Sequence, residues 1–363
     1  MFLKELHLQN FKSWSQAHFT FSPKLNAFVG LNGAGKTNLL DAIHYLSLTK
    51  SYFSNTDAQN ILDGADFFSI DGTFHRKEKE ERIHCALKKG QKKTLRKNKK
   101  EYEKLADHIG QYPSVVISPY DRDLITESSE TRRRFMDTVL SQGHSQYLFH
   151  LMRYNKALQQ RNRLLKYFAA NHTFDALSLE ALEVQMQEHA EPLYAMRQSF
   201  CDELQPKITY YYQFISLGRE EASLTYKSQL HETRLRDLLQ ENLTKDKVNQ
   251  YTGVGPHRDD LIFKLQEKSV RKFGSQGQQK SFLIALKLAQ YDFIQKKLGI
   301  TPILLLDDIF DKLDEDRVAK LIKLVHDEEF GQIFITDTHP ERTRAMVREI
   351  DPQAQIFNVS EAS

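Results

Sequence analysis

The chain of 363 residues has the length of two domains, or of one large domain with an insertion. Its residues are 40% apolar and 27% charged, as in a globular protein, and a net charge of +3 does not by itself indicate a nucleic-acid partner. No apolar run has the length of a membrane span, the amino terminus lacks the apolar core of a signal peptide, and two cysteines cannot form a disulfide framework. We therefore expect a soluble cytoplasmic protein and exclude the secreted, membrane-spanning and disulfide-stapled classes.

In the first third of the chain, the sequence predicts strands before and after a glycine-rich loop and the helix that follows this loop. Apolar residues predict strands near residues 2–11 and 25–29, and residues at helical spacing follow the loop at 30–37. Residues 70–104 alternate in the manner of antiparallel strands. They contain a run of lysines, KKGQKKTLRKNKK, which we call the basic block, Lys88–Lys100.

The composition changes in the middle of the chain. Residues 121–250 carry apolar residues three and four apart with little Gly or Pro, a pattern that predicts helices. These helices could extend as a hairpin, but Pro192 and Pro206 should break any very long coiled coil. We therefore predict an inserted helical lobe over 121–250.

The last third returns to an α/β pattern. A helix is predicted at about 278–298, and buried strands are predicted at 303–306 and 332–336. Residues 1–120 and 251–363 are both needed for one sheet. The predicted fold class is therefore α/β, with the amino- and carboxy-terminal parts forming one lobe around the insertion.

The loop before the first helix matches a phosphate-binding pattern. Gly30–Thr37, GLNGAGKT, fits G-x-x-x-x-G-K-[ST] without a mismatch, and it has the required strand before it and helix after it, which a chance glycine-rich turn would not. The glycines let backbone N–H groups point at a phosphate, next to the positive end of the helix. Lys36 should reach the β- and γ-phosphates, and Thr37 should bind Mg²⁺ through its hydroxyl. The other expected nucleotide contacts are Gly30, Asn32, Gly33, Ala34, Gly35 and Asn38.

Two consecutive carboxylates end a buried strand further along the chain. The apolar run Ile303–Leu306 leads directly into Asp307 and Asp308. A phosphate loop needs a carboxylate on a neighbouring strand to hold the metal, and we assign this role to Asp307. Asp308 is placed to orient an attacking water as a base. Two solvated acids that only end a strand are the alternative, but with Gly30–Thr37 the pair favours binding of ATP and Mg²⁺.

A third signal precedes the long predicted helix. Ser275, Gly277 and Gln278 form a second helix N-terminus suited to an anion. Because the chain already has a phosphate loop, this second site is explained by the γ-phosphate of an ATP held by a second copy of the protein. The simpler alternative is that Ser275 only caps the helix.

Together these residues resemble ABC-type ATPases, and in detail the RecF family of bacterial DNA replication and repair proteins, which are related to SMC proteins. The S-x-G-Q-Q run at Ser275 is similar to the ABC signature loop, and Asp307–Asp308 with Phe310–Asp314 is similar to a Walker B motif and a D-loop. Four stretches carry the closer resemblance and span nearly the whole chain: Leu8–Lys12, Pro119–Leu124 with Arg132–Asp137, Gly255–Asp260, and Gly277–Gln279 with the LLLDD run.

The resemblance implies an ABC-ATPase-like head, in which a P-loop NTPase sheet is accompanied by an antiparallel β subdomain and a helical lobe is inserted. It implies an ATP-held homodimer, with each nucleotide between Lys36 of one subunit and Ser275 of the other. It further implies binding of gapped or junction DNA, and action with RecR and RecO in loading RecA during repair and the SOS response. Weak, DNA-stimulated ATP hydrolysis would then open the dimer and release the DNA.

The sequence also departs from the ABC pattern. The position of the usual switch-loop histidine is occupied by Asp337, and His339 comes two residues late. A surface or capping role is therefore favoured for His339 over a contact with the γ-phosphate. Asp308 stands where most ABC ATPases have Glu, and the shorter side chain is consistent with slow turnover. No glutamine is assigned to the loop between the lobes, although Ser118–Asp121 is the region expected to form it.

The basic block has two interpretations. Clustered lysines on a near-neutral chain can bind DNA phosphates without reading bases. Lysines also protect the edge of a sheet from pairing with other strands. Arg132–Arg134 are assigned to ion pairs with acids such as Asp137 rather than to DNA.

Three other functions share some of these motifs. The ATPase subunit of a membrane transporter has a shorter helical lobe than 121–250 and lacks the RecF-like stretches. An ATPase joined to a nuclease would continue well beyond His339, after which only 24 residues follow. The third alternative is a scaffold that dimerises on ATP without hydrolysing it. The sequence retains this alternative because Asp308 stands in place of the usual Glu.

Overall fold

The computed structural model describes residues 1–216, 220–308 and 330–360, and the chain divides into two units. Unit 1 comprises Met1–Asp121 and Leu283–Ser363, and unit 2 comprises Arg122–Phe282. The predicted carboxy-terminal segment 251–363 is thus shared between the units, since its first 32 residues fall in unit 2.

A five-stranded parallel sheet forms the centre of unit 1. Its strand order is β14-β3-β13-β12-β8, and every pairing is parallel. Four of the five strands are buried along their whole length, as expected for a parallel sheet that is covered on both faces. The strands are β3 (Leu25–Val29), β8 (Ser114–Ile117), β12 (Ile303–Leu306), β13 (Ile333–Asp337) and β14 (Gln355–Asn358).

The parallel arrangement places the ends of distant strands at one edge. Leu306 lies opposite Ile117 on one side and Ile335 on the other, and Asp337 lies opposite Val29. Because the strands run in the same direction, the residues that follow them meet at the carboxyl edge of the sheet, where ligands bind in α/β folds.

A six-stranded antiparallel sheet completes unit 1, in the order β2-β1-β4-β5-β6-β7. Helix α1 (Lys36–Leu48) packs against both sheets, and their apolar side chains form one core cluster that includes Leu6, Leu39 and Phe334. This cluster fixes where the loop before α1 lies. The strands are β1 (Phe2–Phe11), β2 (Trp14–Thr20), β4 (Phe67–Arg76), β5 (Lys79–Lys88), β6 (Thr94–Lys97) and β7 (Lys100–Glu101).

Unit 2 is mostly helical, as predicted, but it also contains a small sheet in the order β11-β10-β9. The strand β9 lies inside the predicted helical block, and its alternate residues are buried. The alternation of apolar and polar residues in Ala222–Lys227 is short and lies between two longer helical patterns, so it did not predict a strand. Pairing with β10, where Leu224 lies opposite Phe263, stabilises the strand. The strands are β9 (Ala222–Lys227), β10 (Asp260–Leu265) and β11 (Lys268–Ser269).

The two prolines expected to break a very long coiled coil do not end the helix that contains them. Helix α5 runs from Ala176 to Ser216, and both Pro192 and Pro206 lie inside it. Each interior proline costs about 3 kcal/mol. Buried neighbours such as Leu193 and Leu204 offset this cost, since a fully buried Leu side chain contributes roughly 1.5–3 kcal/mol. The other helices that begin in unit 2 are α2 (Asp123–Thr126), α3 (Ser129–Gly143), α4 (Ser145–Asn171), α6 (Leu235–Asn249), α7 (Val270–Phe273) and α8 (Gln276–Leu298).

Helix α8 begins in unit 2 and ends in unit 1, and α9 (Pro340–Ile350) follows β13. Within the described ranges, no helix is both long enough and apolar enough to cross a membrane. Cys85 and Cys201 are both buried free thiols, in agreement with the prediction that the chain has no disulfide framework.

Candidate nucleotide site

The glycine-rich loop has the backbone that its sequence predicts. Gly33 and Gly35 have φ of 82° and 95°, in the left-handed region that glycine adopts without strain. At Gly30 a Cβ atom would come within 2.1 Å of the carbonyl oxygen of Val359, so the close approach of the chain just after β14 also requires glycine there. Asn32 and Gly33 are exposed at the tip of the loop, whereas Ala34 is buried in the core cluster.

The turn between β1 and β2 holds this loop from outside. The indole N–H of Trp14 donates to the carbonyl of Gly35 at 3.2 Å, and Asn38 donates its side-chain amide to the hydroxyl of Ser13 at 2.7 Å. Sequence reasoning included Asn38 but missed Ser13 and Trp14. No local pattern signals them, because they reach the loop only through the pairing of β1 with the rest of its sheet.

Lys36 lies inside the curve of the loop. Its ammonium donates to the carbonyl oxygens of Gly30 at 3.0 Å and of Leu31 at 2.9 Å, and the residue is 4% exposed. Lys36 is also the first residue of α1. The lysine and the helix N-terminus therefore favour a phosphate at the same place.

Asp307 receives hydrogen bonds from hydroxyl groups on three different elements. Thr37 and Thr336 each donate to Oδ1 at 2.9 Å, and Ser118 donates to Oδ2 at 3.3 Å. Thr37 lies in the first turn of α1, Thr336 is the last residue but one of β13, and Ser118 directly follows β8. The carboxyl ends of β13 and β8 and the start of α1 therefore meet at this carboxylate. Ser118 was expected only as part of the loop between the lobes, and Thr336 carries no motif that signals its position.

Burial raises the pKa of the Asp307 carboxyl above its usual range, although the hydroxyl donors act in the opposite direction. A buried carboxylate of this kind is stabilised by a cation. Mg²⁺ binds oxygen at about 2.0–2.1 Å in octahedral geometry, which places neighbouring ligand oxygens about 2.9 Å apart. The Thr37 hydroxyl and Asp307 Oδ1 are 2.9 Å apart, so this pair of oxygens fits a magnesium ion.

Asp308 adopts a left-handed backbone conformation, with φ of 44°. Such a φ is uncommon outside glycine, and Asp and Asn are the side chains that tolerate it best. Its N–H donates to the hydroxyl of Thr336 at 2.9 Å. Thr336 therefore bonds to both acids, and it fixes the turn in which the chain leaves β12.

A buried ion pair lies beside Ser118. Lys287 of α8 contacts the carboxylate of Asp121 at 2.9 Å, and both side chains are at most 3% exposed. Asp121 in turn accepts the backbone N–H of Ser118 at 2.8 Å. The region expected to form the loop between the lobes is thus linked to the Asp307 carboxylate through Ser118.

Ser275, Gly277 and Gln278 lie in unit 2, at the start of α8. Ser275 Oγ accepts the N–H of Gln278 at 3.2 Å, and Gln278 Oε1 accepts the N–H of Ser275 at 2.7 Å. This reciprocal pair is a capping box, so Ser275 does cap the helix. Gln278 also donates to Glu220 at 2.5 Å, and both Ser275 and Gly277 are exposed.

The carboxyl end of β13 differs from a switch loop that carries a histidine. Asp337 is buried and accepts a hydrogen bond from Arg342 at 3.0 Å and another from Thr343. His339 occupies the N-cap position of α9 but makes no side-chain capping hydrogen bond. Its side chain is 63% exposed, and its ring lies 2.9 Å from the Thr338 hydroxyl. The structure thus places His339 at the surface. The predicted D-loop, Phe310–Asp314, lies outside the described residues.

The arginine-rich start of α3 forms ion pairs within unit 2. Arg132 contacts Asp260 through both ends of its guanidinium, at 2.7 and 3.1 Å, and Arg134 pairs with Glu130 at 3.4 Å. Asp137, which the sequence suggested as a partner, pairs instead with the buried Arg197 at 2.8 Å. Asp260, the partner of Arg132, is the last residue of the Gly255–Asp260 stretch.

The basic block is divided between internal and exposed charges. Lys93 is 9% exposed and contacts Asp57 at 2.7 Å, and Lys97 contacts Glu81 at 2.8 Å. These two lysines stabilise unit 1 itself. The exposed lysines of the block are Lys88, Lys89, Lys92, Lys99 and Lys100.

The RecF/RecN/SMC N-terminal domain family matches residues 2–361 of the chain. A protein of Flavobacterium johnsoniae named DNA replication and repair protein RecF is 52% identical over 359 residues, which cover 99% of this chain and 100% of that protein. The chain belongs to the RecF family. A second member of the RecF family, from Phocaeicola vulgatus, is 45% identical and covers 99% of this chain and 97% of its own length.

The fold is also that of the RecF family. A solved structure described as the recombination mediator protein RecF-ATP in the RecFOR pathway superimposes with a TM-score of 0.87, at 28% identity, covering 93% of this chain and 92% of that one. An SMC head bound to the C-terminal winged-helix domain of ScpA has a TM-score of 0.59 at 15% identity, and it supports the fold alone. The predicted ABC-ATPase-like head, with its P-loop sheet and antiparallel β subdomain, is confirmed.

Proposed function

We propose that this chain is an ATPase that binds DNA in recombinational repair and replication. The observation that carries the proposal is the 2.9 Å approach of Thr37 to Asp307, next to the Lys36 ammonium. Two elements that are 270 residues apart in sequence supply a pair of magnesium ligands there. The names of the relatives support the same activity, as does the ATP bound in the solved RecF-ATP structure.

Each residue of the site has a proposed role. Lys36 holds the β- and γ-phosphates, Thr37 and Asp307 hold Mg²⁺, and Asp308 orients the attacking water. Bound Mg²⁺ supplies charge neutralisation for the phosphates. The remaining nucleotide contacts are proposed for Gly30, Asn32, Gly33, Ala34, Gly35 and Asn38.

The exposed start of α8 is proposed to complete the nucleotide site of a second subunit. Ser275 and Gly277 are exposed at the N-terminus of a helix of 23 residues, where N–H groups and the helix dipole favour an anion. Gln278 holds Ser275 in place through the capping box and is itself held by Glu220. ATP would join two copies of the chain in this way, and slow hydrolysis would separate them.

The DNA partner is proposed to be gapped DNA or a single-strand/double-strand junction. The exposed lysines of the basic block are the candidate phosphate contacts, while Lys93 and Lys97 are occupied within unit 1. The solved RecF-ATP structure is described as a recombination mediator of the RecFOR pathway. We therefore assign RecR as the direct protein partner, with RecO and RecA in the same pathway.

Sedimentation of the purified chain tests this function. ATP and Mg²⁺ should convert a monomer into a dimer, and gapped DNA should sediment with it more weakly as salt rises, because each phosphate contact releases counterions. Lys36→Ala should abolish both effects, whereas Lys24→Ala, which changes an exposed lysine, should leave them intact. A chain that stays monomeric and does not bind DNA would contradict the proposal.

Phosphate release separates hydrolysis from binding alone. An ATPase should release phosphate faster with gapped DNA than without it. ATP-dependent dimerisation without any phosphate release would instead favour a scaffold that binds ATP and does not hydrolyse it. In that case Asp308→Asn would have no effect on the dimer or on its lifetime.

A further inference from the structure

The outer face of the antiparallel sheet carries a transverse row of titratable side chains. His18 on β2 lies opposite His7 on β1, His7 lies opposite Asp71 on β4, and Asp71 lies opposite His84 on β5. The alternate residues of β1, such as Leu6, are buried in the core cluster. The period of two therefore brings these polar groups together on the solvent side.

Three side chains at one end of this face converge. The rings of His7 and His18 are stacked, with centroids 3.9 Å apart and planes 11° apart. Glu5 precedes His7 by two residues and so lies on the same face of β1. One nitrogen or oxygen from each of the three side chains lies within 4.8 Å of the other two, and no other trio of His, Cys, Asp or Glu in the described ranges meets in this way.

We propose that Glu5, His7 and His18 form a binding site for a divalent transition-metal ion, with Zn²⁺ as the ion that its donors fit best. Two imidazole nitrogens and one carboxylate oxygen are the donor set of three-ligand zinc sites, whose fourth position is taken by water or another molecule. The site is separate from the nucleotide loop. It differs from the proposed magnesium site in its chemistry, because Mg²⁺ prefers oxygen ligands alone.

The geometry needs only a small adjustment. Zinc bonds of about 2.0–2.2 Å in a tetrahedron place the ligand atoms about 3.4 Å apart. The present separations are at most 4.8 Å, and His7 and His18 are exposed, so a change of side-chain rotamer can bring their nitrogens together. Both histidines sit directly opposite each other on paired strands, which holds their Cα atoms at a fixed distance.

The electrostatics of the face also favour a metal at this end. Zinc binds imidazole in its neutral form, and the Glu5 carboxylate beside the two rings supplies a negative charge for the cation. Asp71, the other carboxylate on the row, contacts Arg82 at 2.8 Å and His84 at 3.0 Å. These contacts direct Asp71 towards β5 and leave Glu5 as the carboxylate of the β1–β2 hairpin site.

Metal at this site would cross-link β1 to β2, which is an edge strand of its sheet. The turn of the same hairpin carries Ser13 and Trp14, which bond to Asn38 and Gly35 of the nucleotide loop. The ion would therefore reduce opening of the hairpin that supports this loop. Slower amide exchange along β1 and β2 is the direct consequence.

Calorimetric titration of the untagged, metal-stripped chain with Zn²⁺, in the presence of Mg²⁺, tests the proposal. One saturable site per chain is expected. His7→Ala and His18→Ala should each weaken it by about tenfold or more, since a ligand is lost. The matched control is His84→Ala, which removes a histidine from the same face two strands away and should leave zinc affinity unchanged.

Hydrogen exchange gives a second readout that does not depend on ATPase activity. Zinc should slow amide exchange in β1 and β2 of the wild-type chain and of His84→Ala, but not of His7→Ala. If circular dichroism shows that His7→Ala does not fold, His18→Gln replaces it in the experiment. The proposal would be overturned by equal zinc affinity in all the variants, which is the result expected if Cys85 or Cys201 binds the ion. It would also be overturned if no saturable binding were seen.

Discussion

The hydroxyl of Thr336 donates to Asp307 Oδ1 at 2.9 Å and, at the same distance, accepts the backbone N–H of Asp308. One buried hydroxyl thus orients the carboxylate assigned to the metal and fixes the backbone of the residue assigned to water. This arrangement depends on β13 lying directly beside β12 in the sheet. In the proposed mechanism Thr336 contacts neither Mg²⁺ nor the attacking water, so it is a positioning residue.

Replacement of Thr336 by valine should impair hydrolysis more than nucleotide binding. Valine has the same shape but cannot bond to either acid, and loss of a buried hydrogen-bond partner costs about 1–3 kcal/mol. We expect a decrease in kcat for ATP by about 5- to 150-fold, on that energy scale, with a smaller change in ATP affinity. Thr20→Val, at an exposed position of β2, is the control, and equal kcat in both variants would contradict the role of Thr336.

Asp307→Asn should stabilise the chain in the absence of metal while abolishing its Mg²⁺ dependence. The carboxyl pKa is raised in the folded state, so ionisation is harder there than in the unfolded chain, and stability is lost as pH rises through this interval. Asparagine carries no charge, and its carbonyl oxygen can still accept from Thr37 and Thr336. Thermal unfolding at pH 7 without Mg²⁺ should show a higher Tm for the variant.

Added Mg²⁺ and ATP should reverse this order. The wild-type chain gains stability from a ligand that binds only the folded state, whereas Asp307→Asn should gain much less. A variant with a lower Tm than the wild type without metal would show that Asp307 is a net stabilising group, contrary to the argument from burial.

Ser275→Arg should block ATP-dependent dimerisation without preventing ATP binding. The bulky cation replaces the capping hydroxyl at the exposed start of α8, while the phosphate loop of the same chain is unchanged. Sedimentation with ATP should then show a monomer that still binds nucleotide. Ser145→Arg places the same side chain at the exposed start of α4 and should dimerise normally. Normal dimerisation of Ser275→Arg would exclude the second-subunit role of this loop.

Protonation of His257 should destabilise unit 2 in acid. Burial lowers the pKa of His257 to about 4, and its ring lies 2.8 Å from the Tyr154 hydroxyl and 2.9 Å from the carbonyl of Thr252. The unfolded chain binds the proton near pH 6.5, so the stability that neutral His257 contributes is complete above that pH and is lost as pH falls towards 4.

Urea unfolding between pH 7 and pH 4.5 measures this effect. His257→Gln should lose less stability over that range than the wild type, by about 1–3 kcal/mol on the scale of 1.36 kcal/mol per pKa unit. His172→Gln changes an exposed histidine at the end of α4 and should behave as the wild type does. Parallel curves for His257→Gln and the wild type would assign the acid sensitivity to other groups.

The sequence alone determined those elements whose conformation depends only on neighbouring residues in the chain. Gly30–Thr37 requires left-handed glycines and a helix start, both of which depend on neighbours in the chain, and β3 and β12 have the bounds that their apolar runs predict. Strand β9 was missed because its short alternation only gains stability when β10 pairs with it. The prolines of α5 lie inside a continuous helix, since packing of buried neighbours offsets their local cost.

Tertiary structure alone decided which side chains meet. Ser118, Thr336, Ser13 and Trp14 carry no motif, and they reach the nucleotide site because strands far apart in sequence lie side by side. The same holds for Glu5, His7 and His18, whose spacing indicates nothing until β1 pairs with β2. A sequence pattern reports the preferences of each segment, whereas the register between strands, set by burial of the whole core, determines which polar groups lie within bonding distance.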